Sequence, residues 1–436
     1  MNISIVGTGY VGLVTGSCLA ELGHTVTCID VDVDKVNELN AGEVRIFETG
    51  LTELVRENMD AGRLRFTADY STSIPGSAVV FIAVGTPSAD TGEADLSYVD
   101  SAIMSVVPLL DDGATVVIKS TVPVGTTSRV ESMLPETASI ASNPEFLKQG
   151  AAVADFLSPD RIVVGTQTTR AEEALRMVYK PLLDQGAAGV FTDIATAELI
   201  KYSSNAFLAI KLSFINEMAD LCEQTGASIS DVATGMGLDS RISKSFLNAG
   251  PGYGGSCFPK DTQALLHSSH VHGASSRIVA SAIDVNRNRR GQMIGRITRI
   301  LGGSVAGKDI AILGLTFKAD TDDLRESPAI EIVRGLLGLG ANVRVYDPQG
   351  MDNARSELRG PVFATDAFDA MKGADAVVIV TEWPEFGSLD LARVHDTLSS
   401  PTMIDLRNLY NATDVTNAGI EYHSIGRKPG IPAGRG

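Results

Sequence analysis

Short runs of β-branched residues alternate with helical segments along the first half of the chain. The runs lie at residues 3–6, 26–29, 79–84, 115–118 and 162–164, and each is bounded by Gly, Asp or Pro. Segments 11–22 and 97–110 repeat apolar residues with a period of 3.6. Apolar strands separated by helices are typical of a parallel sheet covered on both faces. We therefore predict an α/β fold built on a doubly wound parallel sheet.

The pattern changes between residues 196 and 224, where the sequence contains no Pro or Gly and Gly226 follows as a stop signal. We predict a single helix here, about 40 Å long at 1.5 Å per residue. Its apolar residues surround most of the helix, so we expect it to be buried and to serve as a domain connector and a subunit contact. They are Leu199, Ile200, Phe207, Leu208, Ile210, Phe214, Ile215, Met218 and Leu221.

A second series of strands and helices begins near residue 308. Its apolar runs lie at residues 310–313, 343–346, 376–380 and 403–406. This half echoes the first, since GSAVVFIAVGTP at 76–87 is similar to GADAVVIVTEWP at 373–384. The echo predicts two nucleotide-binding-type sheets in tandem. The Gly- and Pro-rich tail at 426–436 is expected to be mobile.

Composition narrows the class of protein. The 436 residues are 44% hydrophobic, which is too apolar for a disordered chain. A formal net charge of −17 argues against a nucleic-acid or anionic membrane partner, and no apolar stretch is long enough to span a membrane. Four scattered cysteines indicate no disulfide framework, and the N-terminus reads as a strand, so we expect a cytoplasmic protein.

Gly7, Gly9 and Gly12 form a G-x-G-x-x-G directly after the first predicted strand and at the start of a helix. Such glycines allow a tight turn and let a pyrophosphate approach the backbone at the helix N-terminus. Asp30, at the end of the second strand, has the spacing of an acid that holds the adenine ribose. It would repel a 2′-phosphate, which favours NAD over NADP. The glycine motif alone does not exclude FAD as firmly as Asp30 excludes NADP.

Cys257 lies in GPGYGGSCFPKD, a segment unlike any core strand or helix. Pro259 and the pattern KDTQALLH predict that a helix begins beside it, and Lys260 follows closely. A helix N-terminus and a nearby cation both favour the thiolate, so Cys257 is a candidate nucleophile. Cys18, Cys28 and Cys222 lie in apolar stretches, where a cysteine acts as a small hydrophobic residue.

Lys201 and Asn205 are four residues apart on the long helix and so share one face. They are either part of a solvated edge or a pair of donors aimed at an oxyanion. His267, His270 and His272 do not suit one helical face, and no cysteine or acid cluster joins them. We therefore expect no metal site there.

Motifs across nearly the whole chain resemble the UDP-glucose/GDP-mannose dehydrogenase family. In order, they are GTGYVGLVTG, VGTP, STVPVGTT, SNPEFLKQGAAVADFLSPDRIVVG, ELIKYSSNAF, INEMADLC, FLNAGPGYGGSCFPKD and GLTFKADTDDLRESP. The resemblance implies an NAD-dependent double oxidation of a nucleotide sugar at C6, from alcohol to carboxylate. Cys257 would capture the intermediate aldehyde as a thiohemiacetal, and a thioester would then be hydrolysed. The segment 144–165 favours UDP-glucose as the substrate, with GDP-mannose or a UDP-N-acetylhexosamine as alternatives.

The resemblance also implies roles for individual residues. Besides Cys257, the implied catalytic residues are Lys201, Asn205, Glu145, Thr121 and Asp261. The implied cofactor-binding residues are Gly7, Gly9, Tyr10, Val11, Gly12, Asp30, Lys35, Thr86, Thr121, Gln149, Lys260 and Arg325. The implied substrate-binding residues are Glu145, Phe146, Leu147, Lys148, Gln149, Lys201, Asn205, Arg241, Phe246, Leu247, Asn248, Ala249, Gly250, Gly254 and Lys318. Arg241 matches a position that reaches the partner subunit's site in relatives.

Two features depart from a simple repeat of the family pattern. Gln149 stands where the family usually has Glu, which either leaves backbone contacts unchanged or alters proton handling near the nicotinamide. The turn ILGLTFK lacks the three-glycine spacing, so a second dinucleotide site is doubtful and Lys318 better suits the UDP-sugar.

We therefore predict three domains. They are an NAD-binding Rossmann domain at 1–195, a helical dimerisation domain at 196–300 that carries Cys257, and a Rossmann-like UDP-sugar-binding domain at 301–436. The active site is expected in the cleft between the two sheets, in a homodimer or higher homo-oligomer. Two alternatives are a two-electron hydroxyacid dehydrogenase and a catalytically silent nucleotide-sugar sensor. The first needs no thiolate at Cys257, and the second would not need Cys257, Lys201 and Asn205 together.

Overall fold

The computed structural model describes residues 1–89 and 91–433. The chain folds into two compact units. The first contains residues 1–204 and 263–274, and the second contains residues 205–262 and 275 onward. The helical middle segment is divided between these units. Among the described residues, no helix combines the length and apolar character needed to cross a bilayer.

The first unit contains an eight-stranded sheet with the strand order β3-β2-β1-β4-β5-β6-β7-β8. Neighbouring strands are parallel except β6 and β7. The strands are β1 (Asn2–Val6), β2 (Thr25–Ile29), β3 (Leu64–Thr67), β4 (Val79–Ile82), β5 (Thr115–Ile118), β6 (Ser139–Ser142), β7 (Arg161–Gly165) and β8 (Ala188–Thr192). The first six have the 3-2-1-4-5-6 order of dinucleotide-binding sheets.

Helices cover both faces of this sheet, and apolar cores lie on its two sides. The helices are α1 (Tyr10–Glu21), α2 (Val33–Asn40), α3 (Leu51–Asp60), α4 (Ser97–Val106), α5 (Thr126–Glu131), α6 (Ala152–Leu157), α7 (Thr169–Val178) and α8 (Lys180–Asp184). The buried residues of strands β1, β4 and β5 are apolar except Ser4 and Thr115, because both faces of the sheet pack against helices.

Helix α9 (Ile194–Thr225) is the predicted long helix, and it begins two residues earlier and ends one residue later than expected. The prediction that this helix is buried is wrong for one of its faces. Phe207, Phe214 and Leu221 are 63%, 42% and 54% exposed. They are seven residues apart, so they form one face that the chain leaves uncovered.

The second unit contains a six-stranded parallel sheet with the order β11-β10-β9-β12-β13-β14. This is again a 3-2-1-4-5-6 order, which confirms the predicted pair of Rossmann-like sheets. The strands are β9 (Asp309–Leu313), β10 (Asn342–Tyr346), β11 (Val362–Phe363), β12 (Ala376–Ile379), β13 (Thr402–Asp405) and β14 (Glu421–Ser424).

Helices from the middle of the chain and from the second series complete this unit. They are α10 (Ile229–Gly237), α11 (Phe258–Val271, which continues into the first unit), α12 (Arg277–Ile300), α13 (Pro328–Gly338), α14 (Met351–Glu357), α15 (Ala367–Met371), α16 (Leu391–Thr397) and α17 (Ala412–Asn417). Apolar cores lie on both faces of the second sheet.

Part of the tail that we expected to be mobile is tied to this sheet. Gly430 and Tyr422 exchange two backbone hydrogen bonds of 2.8 and 2.9 Å. Arg427 donates to the Ser230 hydroxyl and to the carbonyl of Tyr410. The last three positions of the predicted tail, 434–436, lie outside the described residues.

Candidate active site

The glycine turn after β1 has the geometry of a dinucleotide-binding loop. Gly7 has a φ of +98°, and a Cβ there would lie 2.8 Å from the carbonyl oxygen of Ala83. A Cβ on Gly12 would lie 1.9 Å from the carbonyl oxygen of Gly7, so only glycine fits. At Gly9, by contrast, no described atom lies within 4 Å of such a Cβ. Open space therefore faces the start of α1, where the helix N-terminus favours a phosphate.

Asp30 follows β2 and lies beside this turn. Its Oδ2 accepts hydrogen bonds from the Thr8 backbone N–H (2.9 Å), from the Thr8 hydroxyl (2.5 Å) and from Lys35 Nζ (2.9 Å). Burial raises the pKa of Asp30, but the hydrogen bonds from Thr8 and Lys35 outweigh it and hold the pKa at about 2. An ionised acid beside an open glycine turn fits NAD, whose ribose hydroxyls need an acceptor.

The second sheet has an acid at the equivalent place, Asp347, directly after β10. It is fully buried, and its Oδ2 accepts from the backbone N–H groups of Leu315 (2.7 Å) and Thr316 (3.0 Å) and from the Trp383 ring (3.2 Å). Its Oδ1 accepts from the backbone N–H groups of Gln349 (3.0 Å) and Gly350 (2.7 Å). This carboxylate is used by the fold itself, which supports the prediction that the second sheet does not bind a dinucleotide.

Thr86 and Thr121 follow β4 and β5 in the same sheet. The Thr86 hydroxyl donates to the Thr121 carbonyl over 2.9 Å. Because neighbouring parallel strands end at one edge of the sheet, both threonines share that edge with the glycine turn.

Glu145 lies in the loop after β6 and forms a buried ion pair with Lys201 on α9. Lys201 Nζ lies 2.9 Å from Glu145 Oε1, and both side chains are at most 7% exposed. Glu145 Oε2 accepts from the backbone N–H of Leu147 over 2.6 Å. Burial raises the pKa of Glu145, but the charge and hydrogen bond of Lys201 outweigh it and lower the pKa below its ordinary value.

The rest of this loop holds further predicted substrate residues. The Arg161 guanidinium carbon lies 3.8 Å from the centroid of the Phe146 ring, and Lys201 Nζ lies 5.3 Å from the same centroid. Leu147 packs against the apolar core, and Lys148 bonds to Asp155. Gln149 follows in the same loop.

Glu48 is a residue that sequence reasoning missed. It is buried, and its carboxylate accepts from the backbone N–H groups of Gly150 (2.6 Å) and Ala152 (2.8 Å). It also accepts a short hydrogen bond from the hydroxyl of Tyr10, the residue that opens α1. Glu48 therefore links the loop that carries Glu145 to the dinucleotide turn. Its partner loop is about a hundred residues away in sequence, so no local motif marks it.

Cys257, in the second unit, directly precedes α11 and is partly exposed, whereas Cys18, Cys28 and Cys222 are buried. Its Sγ lies 3.7 Å from the Ser256 hydroxyl. The pKa of Arg325 is raised mainly by hydrogen bonding to Asp323, and the charge of Cys257 adds to this rise. Burial raises the pKa of Cys28 to about 12, which leaves that thiol protonated and inert.

Asp261, Asn205 and Lys260 form a second polar cluster. Asn205 Nδ2 donates to Asp261 Oδ2 over 2.7 Å, and Lys260 Nζ lies 2.6 Å from Asp261 Oδ1. Asp261 is 1% exposed, so these two donors hold a buried carboxylate. Asn205 is thus a buried hydrogen-bond donor and not part of a solvated edge.

A cavity of about 290 Å³ in the second unit is lined by several predicted substrate residues. They are Phe246, Asn248, Gly250, Gly254 and Lys318. A Cβ on Gly254 would lie 2.3 Å from the carbonyl oxygen of Glu326, which explains the glycine there. Leu247 and Ala249, predicted with them, belong instead to the apolar core.

Arg407 also lines this cavity and was missed because the sequence IDLRNLYN has no glycine or charge pattern around it. Its guanidinium is fixed by the carbonyls of Val380 (2.7 Å) and Phe317 (3.0 Å) and by Glu382 (3.0 Å). A fixed guanidinium at a cavity wall suits an anionic ligand. Arg241, in contrast, is bound to Asp239 with its side chain 87% exposed, and it does not line this cavity.

The fold, the glycine turn and Asp30 fit an NAD-binding dehydrogenase. Residues 1–183, 195–288 and 311–412 match models of the NAD binding domain, the central domain and the UDP binding domain of one family. The chain belongs to the UDP-glucose/GDP-mannose dehydrogenase family. This result confirms both the family resemblance and NAD as the cofactor.

Similar proteins cover the full length of the chain. The UDP-glucose 6-dehydrogenase of Rhizobium meliloti is 50% identical over 435 residues, which cover 98% of this chain and 100% of the relative. The solved structure of a UDP-glucose dehydrogenase from Pyrobaculum islandicum has a TM-score of 0.89 at 36% identity, covering 98% of both chains. A UDP-D-ManNAc dehydrogenase from Pyrococcus horikoshii has a TM-score of 0.86 at 27% identity, covering 98% of this chain and 99% of that one.

Proposed function

We propose that this protein oxidises the C6 hydroxymethyl group of UDP-glucose to a carboxylate, forming UDP-glucuronate. One sugar, one water and two NAD+ give the carboxylate, two NADH and three protons. Full-length similarity to proteins named UDP-glucose 6-dehydrogenase supports the substrate. The observation that carries the chemistry is Cys257, a partly exposed thiol at the N-terminus of α11.

Bound NAD supplies a hydride acceptor for each of the two oxidations. The chain supplies the means to hold the sugar between them. The Cys257 thiolate adds to the C6 aldehyde, which forms a C–S bond and a thiohemiacetal oxygen. Loss of the second hydride leaves a thioester, and attack by water breaks the C–S bond and returns the thiolate. The aldehyde therefore stays bound to the protein between the steps.

Two buried carboxylates are suited to the proton transfers. Glu145 is held by Lys201, and Asp261 is held by Asn205 and Lys260. We propose that Lys201 and Asn205 stabilise negative charge on the C6 oxygen. Glu145, Thr121 and Asp261 would then position the hydrolytic water or accept its proton.

The test is NADH stoichiometry with a panel of nucleotide sugars. We expect purified protein to form two NADH per UDP-glucose and to release UDP-glucuronate, identified by mass spectrometry. GDP-mannose and UDP-N-acetylhexosamines serve as competing substrates, the latter because a UDP-D-ManNAc dehydrogenase shares the fold. One NADH per sugar with a released aldehyde would contradict the thioester route. Preference for another panel member would contradict the substrate.

We propose a homodimer through the exposed face of α9. Phe207, Phe214 and Leu221 form an apolar stripe along that face, and such a stripe is typical of a protein interface. Phe207→Asp should convert the dimer to a monomer in sedimentation velocity, with Glu217→Gln on the same helix as the control. A dimer that survives Phe207→Asp would contradict this interface. The exposed Arg241 is then available to a partner subunit's site.

We propose the cytoplasm as the location. The four cysteines are all thiols, which fits a reducing compartment.

A further inference from the structure

Lys119, which none of the predicted roles includes, is a buried lysine at the end of β5. It is 4% exposed and lines a small cavity of about 50 Å³ in the first unit. Glu145 lines the same cavity. A buried lysine is costly unless it is hydrogen-bonded and paired, so its presence calls for a partner.

The Lys119 ammonium is held by neutral groups on two other elements. Nζ donates to Asn143 Oδ1 over 3.0 Å and to the Tyr179 hydroxyl over 3.3 Å. It also lies 5.9 Å from the ring centroid of Phe156 and 5.8 Å from that of Tyr179, within cation–π range. These contacts fix the ammonium but supply no negative charge.

The charge that balances Lys119 is Glu145. Burial lowers the pKa of Lys119 to about 8, and Lys201 adds to this effect while Glu145 opposes it. In return, the cation of Lys119 helps to lower the pKa of Glu145. One buried carboxylate is therefore shared by two buried ammonium groups.

The other ionisable groups that line the cavity are one neutral phenol and four charged side chains that are at least partly exposed. Burial raises the pKa of Tyr179 above its ordinary range, so its phenol stays protonated. The remaining charged groups in the lining are Lys148, Asp155, Asp160 and Arg161. Lys148 and Asp155 form an ion pair, which limits their effect on Glu145.

We propose that Lys119 is a positioning residue for the oxidation, and that its positive charge keeps Glu145 ionised and paired with Lys201 during turnover. This inference rests on the proposed function, because it assigns Glu145 to the proton transfers. It adds Lys119 to Lys201 as a second cation that acts on Glu145.

The first test is the pH dependence of kcat in Lys119→Met, which removes the charge with little change in volume. Asn143 Oδ1 keeps a 2.6 Å hydrogen bond from Tyr179, so the substitution leaves no orphaned acceptor. We expect the pKa that governs the acidic limb of the kcat–pH profile to rise by about one pH unit. At a fixed pH below that pKa, kcat should therefore fall about tenfold. KM for UDP-glucose should change much less. Lys180→Met, on the exposed side of α8, is the matched control.

A variant that keeps the charge gives an independent test. Lys119→Arg retains a positive charge at every pH, so its acidic limb should stay where it lies in the native protein. Lys119→Gln, which is neutral and can still donate to Asn143 Oδ1, replaces Lys119→Met if urea unfolding shows that Lys119→Met does not fold.

The outcomes separate this inference from the proposed function. If the native protein does not form two NADH per UDP-glucose, the proposed function fails. If it does, but Lys119→Met has the pH profile of Lys180→Met, or Lys119→Arg shifts the acidic limb as far as Lys119→Met does, the role of Lys119 is overturned.

Discussion

Glu48 offers a direct test of how the first unit holds its catalytic loop. Replacing Glu48 with Ala removes the acceptor for the backbone N–H groups of Gly150 and Ala152 and for the Tyr10 hydroxyl. A hydrogen bond to a charged group contributes about 1.5–3 kcal/mol. Two lost backbone bonds therefore predict a destabilisation of about 3–6 kcal/mol. Glu48→Gln keeps one acceptor oxygen and should cost about half as much.

Activity should fall together with stability, because the loop carries Glu145 and Tyr10 opens the helix at the glycine turn. We expect a higher KM for NAD and a lower kcat in both variants. Hydrogen exchange measured by mass spectrometry should show faster exchange in the peptide that contains residues 150–152. Urea unfolding followed by far-UV circular dichroism gives the free energy.

Glu53→Ala, an exposed glutamate on α3, is the control. If Glu48→Ala matched this control in stability and in exchange at residues 150–152, the proposed link would be refuted.

Three further predictions concern individual side chains. Cys257→Ser should prevent completion of the second oxidation, and intact-protein mass spectrometry should detect no thioester; full turnover would contradict covalent catalysis. Asp30→Asn should raise KM for NAD about tenfold or more and so reduce the preference of the enzyme for NAD over NADP. An unchanged ratio of the two KM values would count against a contact between Asp30 and the ribose. Because the folded pKa of Asp30 is below its ordinary value, Asp30 stabilises the protein above pH 4 by about 2 kcal/mol. This stability is lost as pH falls towards 2, so acid titration of native protein and Asp30→Asn should converge there. Asn205→Asp should place two carboxylates in a buried contact and destabilise the protein by about 3–5 kcal/mol in urea unfolding, whereas no change would contradict the buried hydrogen bond between Asn205 and Asp261.

The strands that the sequence predicted are those with continuous buried apolar runs. Five short or mixed strands gave no such signal. Leu64–Thr67 carries an exposed arginine, Ala188–Thr192 is mostly exposed at a sheet edge, and Val362–Phe363 has only two residues. Ser139–Ser142 and Glu421–Ser424 have polar residues at half or more of their positions. Strands this short, polar or exposed contain too few apolar residues for a pattern to be recognised.

Among functional residues, those in local motifs could be predicted and those defined by distant contacts could not. Gly7, Gly12 and Asp30 follow from short-range backbone geometry and spacing. Glu48 and Lys119 act on groups that the fold brings to them from other parts of the chain. No spacing rule within a single segment encodes such contacts.

The buried Asp347 has a consequence for engineering this protein. Transplanting the three-glycine turn of the first sheet into the second would not create another coenzyme site there. Six protein donors already saturate that carboxylate, from Leu315, Thr316 (two), Trp383, Gln349 and Gly350. A redesign would first have to provide those donors with substitute acceptors, and only then could the acid turn outward to a ribose.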